Sequence, residues 1–532
     1  MRNKEQNLTQ AGAVLLFSAI IVKIIGAVFK IPLSADYVLG DLGFGYFSAV
    51  YDLYIPVYTL ALSGFPVAIA KIVADFTAKK DYENVKKTFL LSYKVLLCLG
   101  VIGAFAFLSL IPIFSMKGEG DSIYSYPIVA LSVFFCCVIS VYRGYFEGLK
   151  NMVPTAVSSV IEALCKLLLG LSGAFVTMRL TNDPAMSSAV ALAGITVGSI
   201  ISCVYLKLTF KYNNRFNEKV SFKTKVYDSN LLKNFITILI PVAVASLAVG
   251  MTAFIDSLTL IPQLETLTQT KADTEILLKG TLYSNINPSE IPTLLYGIKG
   301  KAHTLFNLVP TLTTSLGVGA VPLIAGYFVE GNAKELKGNI SLCLKYSALL
   351  CMPIAFGFIF VGGGITELLY GAKSVELGGR LLSVYGIAAL FGGLSVPTTS
   401  VLQAVGKQRN ALWSIIAGII VKILCNVILT PIISLNIYSA AIGTSLCFAV
   451  IFALNIIWLI KDLGVCFNAV ECFIKPLFAS VLCGVTAYVI SGLMGRTKLI
   501  TIVSIAVAGV VYLLIVWFLK IIRKNELVKM FK

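Results

Sequence analysis

Charge is scarce in this chain. Only 13% of its 532 residues are Asp, Glu, Lys or Arg, about half of the roughly 25% usual in soluble domains, and a deficit of that size excludes a water-soluble enzyme. Long polar segments are also scarce. The longest, about 211–234 and 263–290, are too short to fold as separate water-soluble domains, so the estimate of one domain per ~150 residues does not apply. Histidine occurs once, and the twelve cysteines contain no Cys-x-x-Cys pair, which excludes a recognisable metal set. No Ser/His/Asp triad rises above chance, and no Walker A motif is present to draw directly on ATP. No cofactor is expected. Cys98, Cys136, Cys137, Cys165, Cys203, Cys343, Cys351, Cys425, Cys447, Cys466, Cys472 and Cys483 lie mostly inside apolar runs and read as small buried hydrophobes without a disulfide framework.

What the chain has is hydrophobic length. It is 58% hydrophobic, with a mean hydropathy of +0.89. A bilayer core of roughly 30 Å needs about 20 apolar residues per helix, and such runs recur from Ala11 almost to Phe518. The expectation is an all-α polytopic membrane protein of about fourteen spans, near 11–33, 46–73, 88–115, 126–145, 154–178, 186–210, 234–262, 302–327, 339–361, 380–402, 410–434, 438–460, 472–494 and 498–520. Lys23 interrupts the first run and no small-residue cleavage pattern follows, so it reads as an uncleaved first helix.

The net charge of +17 reflects membrane topology and anionic lipid contact rather than nucleic acid. With Arg2 and Lys4 on the cytoplasmic side, alternate loops are basic. These hold Lys79, Lys80, Lys86 and Lys87; Arg143 and Lys150; Lys207, Lys211, Arg215, Lys219, Lys223, Lys225 and Lys233, which surround the loop after helix 6; Lys334 and Lys337; Lys407 and Arg409; Lys461; and Lys520, Arg523, Lys524, Lys529 and Lys532. The intervening loops are poorer or mixed, with Asp36 and Asp41, Lys117 with Glu119 and Asp121, and Arg179 with Asp183. An even number of spans in the cell membrane, with both termini in the cytoplasm, satisfies the pattern.

An internal repeat accompanies it. Pro66 and Pro322, Lys166 and Lys422, and Glu147 and Gln403 are each 256 residues apart. The shared offset predicts two six-helix lobes, 1–230 and 231–462, followed by a helical hairpin at 463–532. Parallel repeats of this kind place a substrate site at mid-membrane between the halves.

Ionisable groups inside the spans are few, and each costs roughly 2.5–3.5 kcal/mol on insertion scales. Lys23, Lys30, Lys166 and Lys422 are the substrate-binding candidates. Asp52, Glu162, Asp256 and His303 are the gate or ion-coupling candidates. Each also has a structural reading: Lys30 snorkelling to headgroups, Glu162 and Lys166 forming a helical ion pair, Asp52 neutralising Lys30, Asp256 pairing locally, and His303, beside Lys299 and Lys301 at the outer start of helix 8, lying at the interface. An excess of lysines sharing one cavity would attract an anion. Pro32, Pro56, Pro66, Pro310 and Pro322 interrupt helices 1, 2 and 8, as bending points or as fixed packing kinks.

Several segments resemble a known family. They are Lys23–Leu33 (KIIGAVFKIPL), Leu42–Tyr46 (LGFGY) with Tyr51 and Tyr54, Ser63–Lys71 (SGFPVAIAK), Arg143–Pro154 (RGYFEGLKNMVP) and Leu402–Lys407 (LQAVGK). Together they resemble the stage V sporulation protein B type of oligosaccharide flippase, in the multidrug/oligosaccharidyl-lipid/polysaccharide exporter superfamily. The resemblance implies two six-helix lobes around a V-shaped cavity, two extra helices, and rocking between inward-open and outward-open states. The implied cargo is an undecaprenyl-pyrophosphate-linked oligosaccharide or peptidoglycan precursor for cell-wall or spore-cortex synthesis, and the implied partners are membrane lipids and cell-wall synthesis enzymes. Lipid II flippases of the superfamily place essential arginines in helices 1, 2 and 8. Here Lys23 and Lys30 stand near the helix 1 positions, Ala61 at the helix 2 position, and His303 near that of helix 8. A multidrug or cation antiporter on the same fold, and a non-transporting membrane scaffold, are the competing readings.

Overall fold

The computed structural model describes residues 8–109, 123–213, 229–268, 271–279, 281–283, 286–465, 467–495 and 497–521. The charges Lys117, Glu119, Asp121, Arg215, Lys219, Lys223 and Lys225, those of both chain ends, and Cys466 lie outside the described residues. The eleven described cysteines are free thiols.

Among the described residues fourteen long helices follow one another: α1 (Leu8–Leu33), α2 (Gly40–Ala78), α3 (Tyr82–Leu108), α4 (Ser125–Gly148), α5 (Val153–Thr181), α6 (Pro184–Asn213), α7 (Ser229–Leu267), α8 (Ile291–Val329), α9 (Ala333–Tyr370), α10 (Val375–Ala404), α11 (Gln408–Leu429), α12 (Tyr438–Leu463), α13 (Val470–Met494) and α14 (Lys498–Phe518). Among the described residues, twelve are long and apolar enough to cross a membrane. The other two, α1 and α7, stand where the first and seventh spans are expected. The chain is an all-α polytopic membrane protein.

Helix ends follow local chemistry. Asp81 caps α3 by accepting from the Asn84 amide (3.1 Å), and Asn332 caps α9 by accepting from Glu335 N (3.3 Å), each satisfying an otherwise orphaned donor. Two boundaries differ from expectation. α8 begins at Ile291 rather than near 302, because Pro292 in its first turn is pre-shaped for a helix start. α11 stops at Leu429 rather than 434, because Pro431 cannot donate within a helix. α2, α5 and α13 each contain a short π-helical segment, at Leu60–Gly64, Lys166–Leu171 and Val470–Ile474. Such wide turns re-aim the side chains that follow.

The chain divides into two compact units, Met1–Leu258 and Thr259–Lys532. In the first, the core runs from Phe29 on α1 to Phe235 and Leu239 on α7. There α7 seats against α2: Ser257 Oγ donates to Ala49 O (2.8 Å), and a Cβ on Gly250 would lie 2.9 Å from Pro56 Cα. α5 and α6 cross through Gly170 and Gly194, where a Cβ on Gly194 would stand 2.4 Å from Gly170 Cα. In the second unit, the α13–α14 hairpin packs on α9, with Tyr512 donating to Leu349 O (2.7 Å). Its outward face (Leu499, Ile502, Val510, Leu513, Trp517) is exposed and apolar, as a lipid-facing surface must be.

One turn recurs at the offset of 256 residues. After α4, Asn151 N donates to Phe146 O (2.9 Å) and Lys150 N to Glu147 O (2.9 Å). After α10, Lys407 N donates to Leu402 O (2.8 Å) and Gly406 N to Gln403 O (3.1 Å). Both are Schellman caps turning on a left-handed residue, Lys150 at φ 58° and Gly406 at φ 76°.

Candidate functional site

In the first unit, α2 carries a ladder of aromatic rings at helical spacing: Phe44, Phe47, Tyr51, Tyr54 and Tyr58. Successive centroids lie 5.7, 5.2, 6.2 and 5.4 Å apart. Residues three and four apart share a helix face, so the ladder presents one continuous aromatic edge. Two of the expected lysines converge on it. Lys30 Nζ of α1 lies 4.3 Å from the centroid of the Tyr51 ring. Lys166 Nζ of α5 lies 5.0 Å from the same ring and 4.8 Å from that of Phe29, and it donates to the Tyr51 hydroxyl at 3.3 Å. Lys166 opens the π-helical segment of α5. Cation–π contacts of this kind are worth about 0.5–2 kcal/mol each.

A cavity of about 50 Å³ adjoins these groups, lined by Gly26, Tyr51, Tyr54, Tyr58, Glu162 and Lys166 among others. It has room for a few waters. Behind it lies a polar layer in which Tyr54 Oη is 3.0 Å from both Ser132 Oγ and Cys136 Sγ.

Glu162 and Lys166 do not form the expected helical pair. Glu162 Oε2 instead accepts from Arg143 Nη2 at 3.1 Å, and Arg143 Nε donates to Ser158 Oγ at 2.9 Å. Arg143, expected among the cytoplasmic loop cations, is inside α4 and only 1% exposed. Its position is set by the crossing of α4 with α2, where a Cβ on Gly144 would lie 2.8 Å from Pro66 O. The other carboxylate oxygen, Glu162 Oε1, has no hydrogen-bond partner. The signal for Arg143 was a cation set directly after the apolar run Val133–Tyr142.

The remaining candidates are distributed. Lys23 is half-buried in α1, while Asp52 in α2 and Asp256 in α7 are buried in the first unit. Lys422 belongs to the second unit. It is fully buried, and its ammonium donates to Ala440 O (3.0 Å) and Thr444 Oγ1 (2.7 Å) on α12. His303 is buried in α8, with Asn307 Nδ2 3.2 Å from its Nδ1 and its ring against Phe306 and Tyr385 at 5.5 and 5.8 Å. Lys299 and Lys301, expected beside it at a helix start, are buried in the same helix because α8 begins about three turns earlier than expected. Lys299 Nζ donates to Tyr296 Oη (3.3 Å), and Lys301 Nζ lies 5.5 Å from the Tyr370 ring centroid. Among the described residues no group of His, Cys, Asp and Glu could hold a metal ion.

Comparison with known proteins follows the same lines. Residues 8–275 match the family model described as polysaccharide biosynthesis protein, and residues 305–512 match that of the lipid II flippase MurJ. The lipid II flippase MurJ of Bacillus subtilis (strain 168) is 24% identical, over 94% of this chain and 93% of its own length. Stage V sporulation protein B of the same organism is 23% identical, over 98% of this chain and 97% of its own. A solved structure described as lipid II flippase MurJ, inward closed conformation, superimposes with a TM-score of 0.68 at 14% identity, over 96% of this chain and 100% of that one. At that identity the likeness speaks for the fold.

Proposed function

This chain belongs to the polysaccharide biosynthesis protein family, a family of membrane transporters and not of enzymes, and on that premise we propose that it carries a lipid-linked anionic saccharide across the cell membrane by alternating access. The cargo we assign is an undecaprenyl-pyrophosphate-linked oligosaccharide or peptidoglycan precursor. In this reading both chain ends lie in the cytoplasm, and an ion gradient or the membrane potential drives the cycle, with Asp52, Asp256 and His303 as coupling or gating groups.

One observation carries the choice of an anion. Lys30 and Lys166 approach the same tyrosine from two helices, while the nearby carboxylate of Glu162 is already answered by Arg143. The ammonium charge of Lys166 is therefore not cancelled by that carboxylate. In a low-dielectric wall such charge concentrates an anionic group, and lysine binds phosphate as a flexible point charge without the fork of arginine. A cation carrier would also use Tyr51, Tyr54 and Tyr58, but it would need the negative charge of Glu162 for its cargo, and Arg143 already offsets that charge.

The test is accumulation of labelled lipid-linked precursor on the inner leaflet after depletion of this protein, complemented with wild type, Lys30→Ala or Lys166→Ala at equal membrane abundance. Wild type clears the precursor and each variant leaves it in place. Full clearance by both variants sinks the assignment of these lysines. No accumulation on depletion, in a strain lacking other flippases, sinks the cargo.

A further inference from the structure

A cavity of about 440 Å³ lies within the second unit, where the α13–α14 hairpin meets α9 and α10. It arises where α9 breaks. Val361 leaves the helical region (φ −123°, ψ 20°), and three glycines follow. A Cβ on Gly362 would stand 2.7 Å from Gly379 O, and one on Gly379 would stand 2.5 Å from Gly363 Cα, so α9 and α10 touch backbone to backbone. Ser383 Oγ donates to Ile359 O (3.0 Å) beside the break. On the hairpin side Ser491 Oγ donates to Ser504 Oγ (3.2 Å), and Thr501 and Tyr488 complete the wall.

The charges at this hollow are of both signs. Glu376 and Arg380, one turn apart on α10, form an ion pair whose side chains are 59% and 62% exposed. Arg380 Nη2 meets Glu376 and the guanidinium also hydrogen-bonds Tyr438, which leaves part of its five N–H donors for a ligand. Beside them the hairpin shows exposed apolar side chains, Val489, Leu493, Leu499 and Ile502. Both ionic groups sit in the first two turns of α10, and Leu493 and Leu499 flank the turn between α13 and α14. Helix ends of this kind lie at headgroup depth.

We propose that this hollow binds the headgroup of a zwitterionic glycerophospholipid, with phosphatidylethanolamine as the simplest case. Its phosphate takes the arginine fork, its ammonium takes the Glu376 carboxylate, and an acyl chain runs down the apolar strip of the hairpin. The volume lies within the ~300–1,000 Å³ usual for small-ligand sites. A purely anionic headgroup would set its charge against Glu376. The site is separate from Lys30 and Lys166 and does not depend on the cargo assigned above.

The experiment uses the full chain in nanodiscs of equal phosphatidylethanolamine and phosphatidylglycerol, with retained lipid read by native mass spectrometry. Wild type retains phosphatidylethanolamine preferentially. Arg380→Ala and Glu376→Gln each reduce that enrichment about tenfold, the loss of one charge-assisted hydrogen bond. The two variants change net charge in the same direction as removal of a cation and of an anion respectively, so a diffuse surface effect would move phosphatidylglycerol retention oppositely in the two. Gly492→Leu is the third arm. A Cβ there meets nothing within 4 Å, so the larger side chain enters the hollow without a backbone clash and expels the lipid while the protein remains monodisperse. Equal retention of both lipids by wild type, or preference for phosphatidylglycerol, overturns the proposal. So does unchanged enrichment in all three variants.

Discussion

Arg143 and Glu162 join α4 to α5 through a buried ion pair, Nη2 to Oε2 at 3.1 Å, with side chains 1% and 9% exposed. Neither charge reaches bulk solvent, so each depends on the other. Removing one member of such a pair costs about 3–5 kcal/mol, because the survivor keeps its desolvation penalty, whereas replacing both by apolar groups is often near neutral. Arg143→Met is therefore expected to lower the thermal midpoint in detergent sharply, and Glu162→Leu likewise. The double variant should recover most of the loss. Additive single effects would show that the pair does not act as a unit.

Tyr51 offers Lys166 a hydroxyl and offers both Lys30 and Lys166 a ring. The two contributions separate by substitution. Tyr51→Phe keeps the ring and removes only a hydrogen bond worth about 1 kcal/mol, so transport should fall about fivefold. Tyr51→Ala frees both ammonium groups from their platform and is expected to reduce transport as much as Lys166→Ala, about tenfold or more. Precursor accumulation at matched abundance is the measurement. Equal behaviour of the Phe and Ala variants would remove the ring contacts from the account.

Much of this was legible in the sequence, for identifiable reasons. Hydropathic length places the apolar helices, twelve of which among the described residues are long and apolar enough to cross a membrane, because a bilayer-sized apolar run has few alternatives. Lys166 stood out as a charge inside such a run. What one sequence conceals is direction. Glu162 precedes Lys166 by four residues, the favoured spacing for a helical pair, yet the π-helical segment beginning at Lys166 turns the amine towards Tyr51 and leaves Glu162 facing α4. Because cations cluster at span ends, the sequence places Arg143 among the loop charges. Only the packing of Gly144 against Pro66 and Ile69 draws that turn of α4 into the interior. The aromatic ladder on α2 was visible in its spacing, but in a chain with 32 Phe and 23 Tyr the pattern does not stand out until the lysines are seen to rest on it.

The glycines of the helix crossings differ in what a methyl group would meet. On Gly144 a Cβ would lie 2.6 Å from Ile69 Cβ and 2.8 Å from Pro66 O, whereas on Gly319 in α8 it meets nothing within 4 Å. Gly144→Ala must push α2 and α4 apart and is expected to cost about 1–3 kcal/mol. Gly319→Ala instead gains helix propensity, about 1 kcal/mol at most. Thermal midpoints of the two variants should therefore shift in opposite directions. If Gly319→Ala stabilises the protein yet slows transport, α8 bends there during the cycle.

The paired turns after α4 and α10 provide a reciprocal test of their equivalence. Lys150 at φ 58° and Gly406 at φ 76° occupy the same position of the same cap, but only glycine adopts that conformation without crowding its own Cβ. The left-handed region costs an L-residue about 1–2 kcal/mol. Lys150→Gly should thus raise stability by about 1 kcal/mol, less the extra freedom glycine gives the unfolded chain, and Gly406→Lys should lower it by a similar amount. Lys150 is exposed, so no packing term obscures the result. Exchange of the two residues in one chain should leave the thermal midpoint close to wild type. A double variant as unstable as Gly406→Lys alone would mean that the strain at Lys150 is relieved by contacts of its own, and that the two turns, alike in hydrogen bonding, differ in energy.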